Sequence, residues 1–289
     1  MARPVWIAEH MTKRFLWQLL PVRRSETHKG NYGRVLLLCG SVGLTGAARL
    51  AAKAALRAGS GLVYLGVPEA IYPIAAAGAG SEIVFPLPCD EAGRLCLASF
   101  PAISEKLPGM DAVLFGPGLG RSEELTALTQ KLLSACRAPL VLDADGINAL
   151  EGHMDILRGA ACPIVLTPHD GEYLRMGGDP KAQDRVQNAM QMANGTNAVI
   201  LLKGHRTIIT DGVNVYRNLT GNPGMATGGS GDVLSGILVS FLGQHIMPLE
   251  AAAAAAFVHG AAGDLAAAEL GEYGLIPEDI VLRIPRLLL

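Results

Sequence analysis

The sequence lacks an excess of positive charge, and it lacks any segment that would divide it into separate domains. With 24 Lys and Arg against 26 Asp and Glu, its net charge at pH 7 is −2, which provides no basic surface suited to nucleic acid. No linker, low-complexity stretch or block of like charge separates one part of the 289 residues from another. Because α/β folds often reach this size as one unit, we expect a single domain over residues 1–289.

Paired cysteines and long apolar spans are also missing. The five cysteines are odd in number, lie in or near apolar runs and include no C-x-x-C pair, so we expect buried reduced thiols rather than a disulfide framework or a zinc site. Charged side chains interrupt the apolar runs at the N-terminus, and the apolar stretch 251–258 is too short to span a bilayer. Residues 249–268 are expected to form a buried Ala-rich helix instead. We therefore expect a cytoplasmic protein that binds neither membrane nor nucleic acid.

Apolar strand candidates recur along the chain, and several alternate with helical stretches, the first near residues 7–20. Half of the residues are hydrophobic and the mean hydropathy is +0.31, so a large core can form. The alternation predicts a mostly parallel, doubly wound α/β sheet covered by helices on both faces. Residues 206–216, with an Asp-Gly turn, predict an antiparallel hairpin at a sheet edge. The strand candidates are residues 34–39, 62–66, 112–115, 140–143, 164–167 and 199–203.

Nearly every predicted strand runs directly into a loop rich in Gly, Asp, Asn, His or Pro. In an open parallel sheet the carboxyl ends of the strands share one edge, where such folds bind ligands. We therefore expect one extended site that collects these loops. They are G-S-V-G-L-T-G-A after residue 39, G-P-G-L-G after 115, D-A-D-G-I-N after 142, T-P-H-D-G-E after 166 and K-G-H-R-T after 202.

Residues 227–236, T-G-G-S-G-D-V-L-S-G, carry the strongest chemical signal. Gly228, Gly229 and Gly231 let a ligand approach the backbone, and the free N–H groups at the start of the following helix attract anions, so this segment predicts a phosphate site. Because a carboxylate repels such a ligand, Asp232 is expected to be a base that takes a proton from the attacking group. The alternative is a helix N-cap at Asp232 after an ordinary glycine turn.

Other strand-end residues have a functional and a structural interpretation. The three glycines of residues 116–120 favour close ligand approach over an ordinary turn. In residues 40–46 the spacing G-x-x-G-x-x-G differs from the dinucleotide fingerprint, and substrate approach near Gly46 and an ordinary turn are equally favoured. Asp143 and Asp145 are typical of Asx turns, and the alternative for both is to position a magnesium-bound water.

His169, Glu172 and Lys203 complete the candidates. His169 is either a hydrogen-bond partner for a substrate or a solvated loop histidine. Glu172 either orients water around a metal ion or is an acidic residue in the first turn of a helix. Lys203 either meets a phosphate as a point charge or is a surface lysine in a hairpin, and the nearby anion loop favours the phosphate.

Together these segments resemble the ribokinase-like superfamily and, within it, the ADP/ATP-dependent NAD(P)H-hydrate dehydratases, from about residue 9 onward. Sugar kinases of the superfamily commonly carry T-P-N-x-x-E where this chain has T-P-H-D-G-E, and Ser230 stands where threonine is frequent. The histidine agrees with the dehydratases. The motifs occur in that family's order: H-K-G with Y-G in 28–33, T-G-A at 45, G-P-G-L-G at 116, L-D-A-D at 142, T-P-H-D-G-E at 167, K-G at 203 and G-G-S-G-D at 228.

The resemblance implies a role for each matching residue. Asp232 is implied to be the catalytic base. No metal ligand is implied, although Glu172 could act on a metal through water. The implied substrate-binding residues are Ala47, Gly118, His169 and Asp232; the nucleotide-binding residues are Lys203, Gly204, His205, Arg206, Thr207 and Gly231; and the anion hole is Gly229, Ser230 and Gly231.

It also implies ADP-dependent dehydration of the S-epimer of hydrated NADH or NADPH, with Mg²⁺ and with ADP (or ATP) as cosubstrate. Asp232 would deprotonate the hydrate hydroxyl as its oxygen attacks the terminal phosphoryl group. The lone pair of the ring nitrogen would then expel phosphate, which leaves AMP, phosphate and NADH or NADPH. We expect a homo-oligomer, suspected to be a tetramer, and a separate NAD(P)H-hydrate epimerase because no epimerase domain is expected in this chain.

Two other functions remain open. A ribokinase-like small-molecule kinase would phosphorylate a hydroxymethylpyrimidine or a thiazole alcohol and stop there, and His169 with G-P-G-L-G argues against it. A nucleotide-sensing protein would bind without catalysis. Asp232 argues against that function, because a pure anion site gains nothing from a carboxylate.

Overall fold

The computed structural model describes residues 7–8 and 11–289 and contains one ten-stranded sheet. The strands are β1 (Ile7–Ala8), β2 (Arg34–Leu38), β3 (Leu62–Pro68), β4 (Ile83–Leu87), β5 (Ala112–Phe115), β6 (Leu140–Leu142), β7 (Ile164–Leu166), β8 (Val199–Leu202), β9 (Ile208–Thr210) and β10 (Val215–Arg217). The α-helices are α1 (Lys13–Leu19), α2 (Thr45–Arg57), α3 (Tyr72–Ala77), α4 (Phe100–Lys106), α5 (Glu123–Ala135), α6 (Asp145–Asn148), α7 (Asp170–Arg175), α8 (Arg185–Thr196), α9 (Ser230–Gly243), α10 (Pro248–Leu270) and α11 (Pro277–Arg283).

The strand order is β1-β10-β9-β8-β7-β6-β5-β2-β3-β4. From β8 to β4 all neighbouring strands are parallel. β9 is antiparallel to both β8 and β10, and the two-residue β1 pairs with β10 in parallel. The predicted mostly parallel sheet with an antiparallel hairpin at one edge is therefore confirmed, with β1 added outside the hairpin.

Helices cover both faces of the sheet. In β2, Val35 and Leu37 pack into one core and Leu36 and Leu38 into the other, and none of the four is exposed to solvent. The first core includes α2, α9 and α10, and the second includes α5 and α8. This two-sided burial explains why the strands have near-continuous apolar sequences.

Two segments differ from the sequence prediction. The helix predicted over residues 7–20 is wrong at its start, because Ile7–Ala8 form β1 and α1 begins at Lys13, with Thr12 as its N-cap; residues 9–10 lie outside the described residues. β4 was not predicted. Its Pro86 cannot donate a ladder hydrogen bond, and the strand is tolerated because it lies at the sheet edge.

α10 confirms the buried Ala-rich helix and extends it to 23 residues. By length and composition this helix could cross a membrane. The shortness of the apolar run 251–258 therefore does not by itself exclude a membrane span. The helix instead packs against α9 and α11, and most of its residues are buried within the protein. Its alanines leave little side chain between the helices, so the backbone of α10 approaches α9 closely.

The five cysteines are free thiols. Cys39, Cys96 and Cys136 are buried as predicted, whereas Cys89 and Cys162 are partly exposed. Burial raises the pKa of Cys39 well above its usual value, and the neighbouring carboxylates add to that rise. Cys39 is therefore an uncharged part of the core.

Candidate active site

The site lies where the order of the strands in the sheet reverses direction. β2 and β5 are neighbours, but the chain continues from β2 to β3 on one side and from β5 to β6 on the other. The loops that follow β2 and β5 therefore diverge and leave a crevice, which is where open α/β sheets bind ligands.

The loops after β2 and β5 touch at Gly118 and Ala47. Gly118 has φ +66°, a conformation that favours glycine, and a Cβ on it would lie 2.9 Å from the Ala47 Cβ. The Ser41 hydroxyl donates to the Gly118 carbonyl at 2.8 Å, and the Gly40 N–H donates to the Pro117 carbonyl at 2.8 Å. The structure thus brings these two predicted substrate-binding residues together.

The Asx-turn interpretation of Asp143 and Asp145 is wrong for both side chains. The buried Asp143 carboxylate accepts hydrogen bonds from Lys203 Nζ at 2.9 Å and from Ser235 Oγ at 2.5 Å. The Asp145 carboxylate accepts the backbone N–H of Gly120 at 2.8 Å. Each acid therefore ties its own loop to another part of the site.

The anion loop, residues 227–231, leads into α9. Gly229 is the N-cap with φ +96°, and α9 begins at Ser230. Asp232 lies inside the first turn, so the N-cap interpretation of Asp232 is wrong. A Cβ on Gly228 would meet nothing within 4 Å, which leaves space for a ligand over N–H groups that have no acceptor in their own helix.

Lys203 lies at the centre of the acidic side chains and is not a surface lysine. Its ammonium is 2.9 Å from Asp143 Oδ1 and 3.7 Å from Glu172 Oε2, and its side chain is 18% exposed. A Cβ on Gly231 would lie 3.4 Å from Lys203 Nζ, so the ammonium also faces the anion loop. Burial works against the charge, but the surrounding carboxylates, Asp143 foremost, raise the pKa of Lys203 overall. Lys203 is therefore charged at neutral pH.

Asp232 is partly exposed and has an unusual pKa. Burial is the largest cause and, with the charge of Asp143, raises the pKa from 3.8 to about 7, while Lys203 opposes the rise. A carboxylate with a pKa near neutrality accepts a proton better than an ordinary aspartate does. This geometry and pKa suit a general base beside an anion site.

His169 is the N-cap of α7 and is not simply solvated. Its Nδ1 accepts the N–H of Gly171 at 2.9 Å and that of Glu172 at 3.3 Å, while the Glu172 carboxylate accepts the His169 N–H at 2.8 Å. With Nδ1 as acceptor, the neutral ring carries its proton on Nε2, which lies 3.3 Å from Glu172 Oε1. The side chain is 55% exposed, so one edge of the ring is available to a ligand.

The K-G-H-R-T segment forms the turn between β8 and β9. Gly204, His205 and Arg206 are exposed, and the Thr207 hydroxyl donates to the Gly204 carbonyl at 3.0 Å. The predicted nucleotide-binding residues therefore form an accessible turn that begins beside the anion loop.

Two residues that hold the site were missed in the sequence. Ser235 binds Asp143, and the signal that could have identified it is a polar side chain inside the apolar run of α9. Arg185 donates to the Lys203 carbonyl at 3.1 Å and to Asp170 at 2.5 Å. Nothing in the sequence around Arg185 indicates these partners.

The acidic side chains of the site are the candidate ligands for a metal ion. Within the described residues, no three His, Cys, Asp or Glu side chains are grouped to hold a metal ion. The carboxylates of Asp143, Asp145 and Glu172 are engaged by protein groups. Since Mg²⁺ commonly binds through substrate phosphates, waters and one or two carboxylates, this set fits an ion that arrives on a nucleotide.

Two cavities lie near these loops. One of about 300 Å³ is lined by Asp145 and by residues of α5 and α6, and so adjoins the G-P-G-L-G loop. Another, of about 470 Å³, lies between α7 and α8 and contains none of the predicted site residues. The crevice above β2 and β5, where the predicted residues meet, remains the candidate active site.

Comparison with known proteins identifies relatives over nearly the whole chain. A family model described as NAD(P)H-hydrate dehydratase matches residues 35–286. The bifunctional NAD(P)H-hydrate repair enzyme Nnr of Moorella thermoacetica is 44% identical over 290 residues, which cover 97% of this chain and 54% of that protein. The chain thus spans about half the length of the curated relatives it matches.

Solved structures agree with this match. The ADP/ATP-dependent NAD(P)H-hydrate dehydratase of Bacillus subtilis, co-crystallised with ATP and Mg²⁺, has a TM-score of 0.84 at 30% identity and covers 96% of this chain and 97% of that one. A ribokinase-like superfamily protein from Enterococcus faecalis has a TM-score of 0.82 at 26% identity and covers 99% and 98%. The fold is therefore ribokinase-like.

Proposed function

Because the chain belongs to the NAD(P)H-hydrate dehydratase family, we propose that it catalyses the ADP-dependent dehydration of the S-epimer of hydrated NADH and NADPH. The reaction transfers the terminal phosphoryl group of ADP to the hydrate hydroxyl and then eliminates phosphate. Its products are AMP, phosphate and NADH or NADPH.

The observation that carries this proposal is the Asp232 carboxylate, partly exposed in the first turn of α9 with its pKa raised to about 7. Hydroxide is a poor leaving group, so the hydrate oxygen must first become phosphorylated. Asp232 accepts the hydroxyl proton as that oxygen forms its bond to phosphorus, and the bond between phosphorus and the ADP leaving oxygen breaks. The ring nitrogen then supplies the electron pair that breaks the carbon–oxygen bond and releases phosphate, and loss of a proton from the neighbouring ring carbon restores the dihydropyridine.

Charge on the transferring phosphoryl group is stabilised by the start of α9. We assign the anion hole to the backbone of Gly229, Ser230 and Gly231, where N–H groups at a helix N-terminus favour negative charge. The Lys203 ammonium beside Gly231 adds a positive charge at the same place.

The substrate ring is proposed to lie between Asp232 and the wall formed by Ala47 and Gly118, with the exposed edge of His169 opposite. A side chain as small as alanine beside a glycine lets the substrate ring lie close to the backbone there. The family match favours this substrate over a pyrimidine or thiazole alcohol.

The nucleotide is proposed to bind along the turn that starts at Lys203 and continues through Gly204, His205, Arg206 and Thr207. The paired ammonium of Lys203 acts as a nearby positive charge, while the exposed turn offers backbone groups to the nucleotide. Mg²⁺ would neutralise charge on the nucleotide phosphates, with Glu172 available to orient its waters.

We also propose that the protein is cytoplasmic, assembles as a homo-oligomer, with a tetramer as the expected form, and works with a separate NAD(P)H-hydrate epimerase. The curated relatives are named bifunctional NAD(P)H-hydrate repair enzymes, and this chain matches about half of each. The single α/β domain over residues 1–289 remains our proposal for the organisation of this chain.

The test mixes the protein with hydrated NADH, Mg²⁺ and either ADP or ATP, and follows dihydronicotinamide absorbance together with phosphate release. We expect both signals to rise in a 1:1 ratio, faster with ADP. Absence of any rise with either nucleotide would refute the activity. Asp232→Asn should bind nucleotide and lose turnover, and turnover that survives this change would refute the assigned base.

A further inference from the structure

His259, on α10, contacts the predicted anion hole although no predicted role involves it. Its Nε2 atom lies 3.2 Å from the hydroxyl oxygen of Ser230. Ser230 is the first residue of α9 and is only 8% exposed. The hydroxyl therefore sits at the phosphoryl site with a histidine behind it.

The turns of α10 around His259 also hold the loop that precedes α9. A Cβ on Gly260 would lie 2.3 Å from the hydroxyl oxygen of Thr220. One turn further, Asp264 accepts a hydrogen bond from the Asn222 amide at 2.9 Å. These contacts hold the loop in place against α10. His259, on the same helix, makes a further contact with the anion hole itself.

The protonation of the ring decides what it can do for Ser230. Burial lowers the pKa of His259 to about 4, against an opposing hydrogen bond with the Ser230 backbone, so the neutral ring carries one N–H. With that hydrogen on Nε2, the ring donates to Ser230 and leaves the serine hydrogen free. With it on Nδ1, the serine hydrogen is taken up by Nε2. The 3.2 Å separation of Nε2 and the Ser230 hydroxyl oxygen accommodates both forms.

We propose that His259 is a positioning residue of the phosphoryl site, whose Nε2–H donates to Ser230 Oγ and directs the serine hydrogen toward the transferring phosphoryl group. This inference rests on the proposed function. A donor that is oriented before the reaction stabilises developing negative charge without reorganising. His259 touches neither substrate nor nucleotide in this arrangement, and it acts through Ser230.

Two amide variants test the reach of the contact. In His259→Gln the amide nitrogen can occupy the place of Nε2, whereas in His259→Asn it ends near the place of Nδ1. We expect His259→Asn to lower kcat about 10-fold with little change in the KM for ADP. His259→Gln should keep most of the kcat of the unmutated protein. His245→Asn, at an exposed position two residues beyond the C-terminal end of α9, is the control and should leave kcat unchanged.

A double-mutant cycle separates positioning from a general effect on the fold. In a Ser230→Ala background, His259→Asn should cause no further loss of kcat, because the hydroxyl that His259 orients is gone. Full additivity of the two losses would overturn the inference, as would a His259→Asn variant that turns over like the unmutated protein.

Nitrogen-15 NMR of the unmutated protein tests the ring directly, even if a variant does not fold. We expect His259 to be the Nε2–H form at neutral pH, with its ring signals assigned through their couplings to the assigned backbone of residue 259. An Nδ1–H form would overturn the inference. Failure of the proposed function is distinguishable, because it would appear as no turnover in the unmutated protein whatever the NMR result.

Discussion

At the scale of single residues, four acids and one lysine set the chemistry of the site. Asp143, Asp145 and Glu172 all raise the pKa of Asp232, after burial, and Lys203 lowers it. Without Lys203 these carboxylates would repel both one another and an incoming phosphate. The positive charge of Lys203 thus offsets the repulsion between the carboxylate base and a bound anion, so that both can lie side by side.

The raised pKa makes the stability of the protein depend on pH. Between pH 3.8 and about 7, Asp232 keeps a proton when folded and loses it when unfolded, so the free energy of unfolding falls as pH rises through that range. Asp232→Asn removes this effect. At pH 8 we expect the variant to be more stable by about 2 kcal/mol, less than the full pKa difference would give because the carboxylate is partly exposed.

Urea unfolding at pH 4 and pH 8 measures this difference. The stabilisation should be present at pH 8 and largely absent at pH 4, where the native carboxyl is already neutral. Asp155→Asn, at an exposed position outside the site, is the control. A stability gain for Asp232→Asn that is the same at both pH values would contradict the assigned pKa.

The sequence identifies some of these residues and not others for a physical reason. Asp232 stands among glycines and Lys203 precedes one, so the local composition marks both. The partners of Asp143 and Ser230 are 92 and 29 residues away along the chain. Such contacts depend on how helices pack, which no local pattern contains, and the sequence around Asp143 therefore predicts only a turn residue.

At the scale of elements, the site depends on how closely two loops approach. Gly118 combines a positive φ with direct contact to the start of α2. A side chain at this position would push the two loops apart and fill the space proposed for the substrate ring. The nucleotide, which we place on the other side of Asp232, would keep its own contacts.

Gly118→Ala should therefore raise the KM for the hydrate at least about 10-fold and leave the affinity for ADP nearly unchanged. The added methyl group displaces one side of the substrate site, and a small displacement of a bound substrate has a large effect on the reaction. Steady-state kinetics with each substrate varied, together with ADP titration by calorimetry, measure both. Gly271→Ala is a matched control, with φ +77° and nothing within 4 Å of the added Cβ. It shares the backbone strain, so an equal effect on the hydrate would show that strain alone is responsible.

Helices and strands can be predicted where the local sequence has a regular pattern of apolar residues. The six predicted strands end within two residues of those observed, since burial on both faces requires continuous apolar runs. The sequence does not reveal β4, because four of its five residues are partly or fully exposed and one of them is Pro86. It does not reveal β1, because a strand of two residues has no periodicity. Strands at sheet edges are held by pairing more than by burial, and pairing partners are remote in sequence.

At the scale of the whole molecule, one sheet provides one crevice, and all the predicted site residues lie on loops at its carboxyl edge or at the start of the helices that follow them. The curated relatives are bifunctional and about twice as long. The proposed function of this chain is the dehydration step, with epimerisation proposed for a separate protein. This division leads to a prediction about mixed epimers.

A mixture of the two epimers of NADH hydrate should be consumed only in part by this chain with excess ADP and Mg²⁺. In the arrangement that we propose, the hydroxyl oxygen of one epimer points toward Asp232 and the terminal phosphoryl group, whereas that of the other points to the opposite face of the ring. Proximity and alignment supply much of the rate of such a transfer, so the second epimer should react far more slowly. Absorbance should rise rapidly by the S fraction and then stop.

Addition of a separate NAD(P)H-hydrate epimerase should restart the reaction and carry it to completion, because it converts the remaining epimer into the reactive one. Complete consumption in a single phase without that enzyme would contradict the division of labour. Incubating the purified unreactive epimer with the chain but without nucleotide then identifies the cause. Conversion between epimers would reveal an epimerase activity in these 289 residues, whereas no conversion would mean that the crevice accepts the hydroxyl from either face.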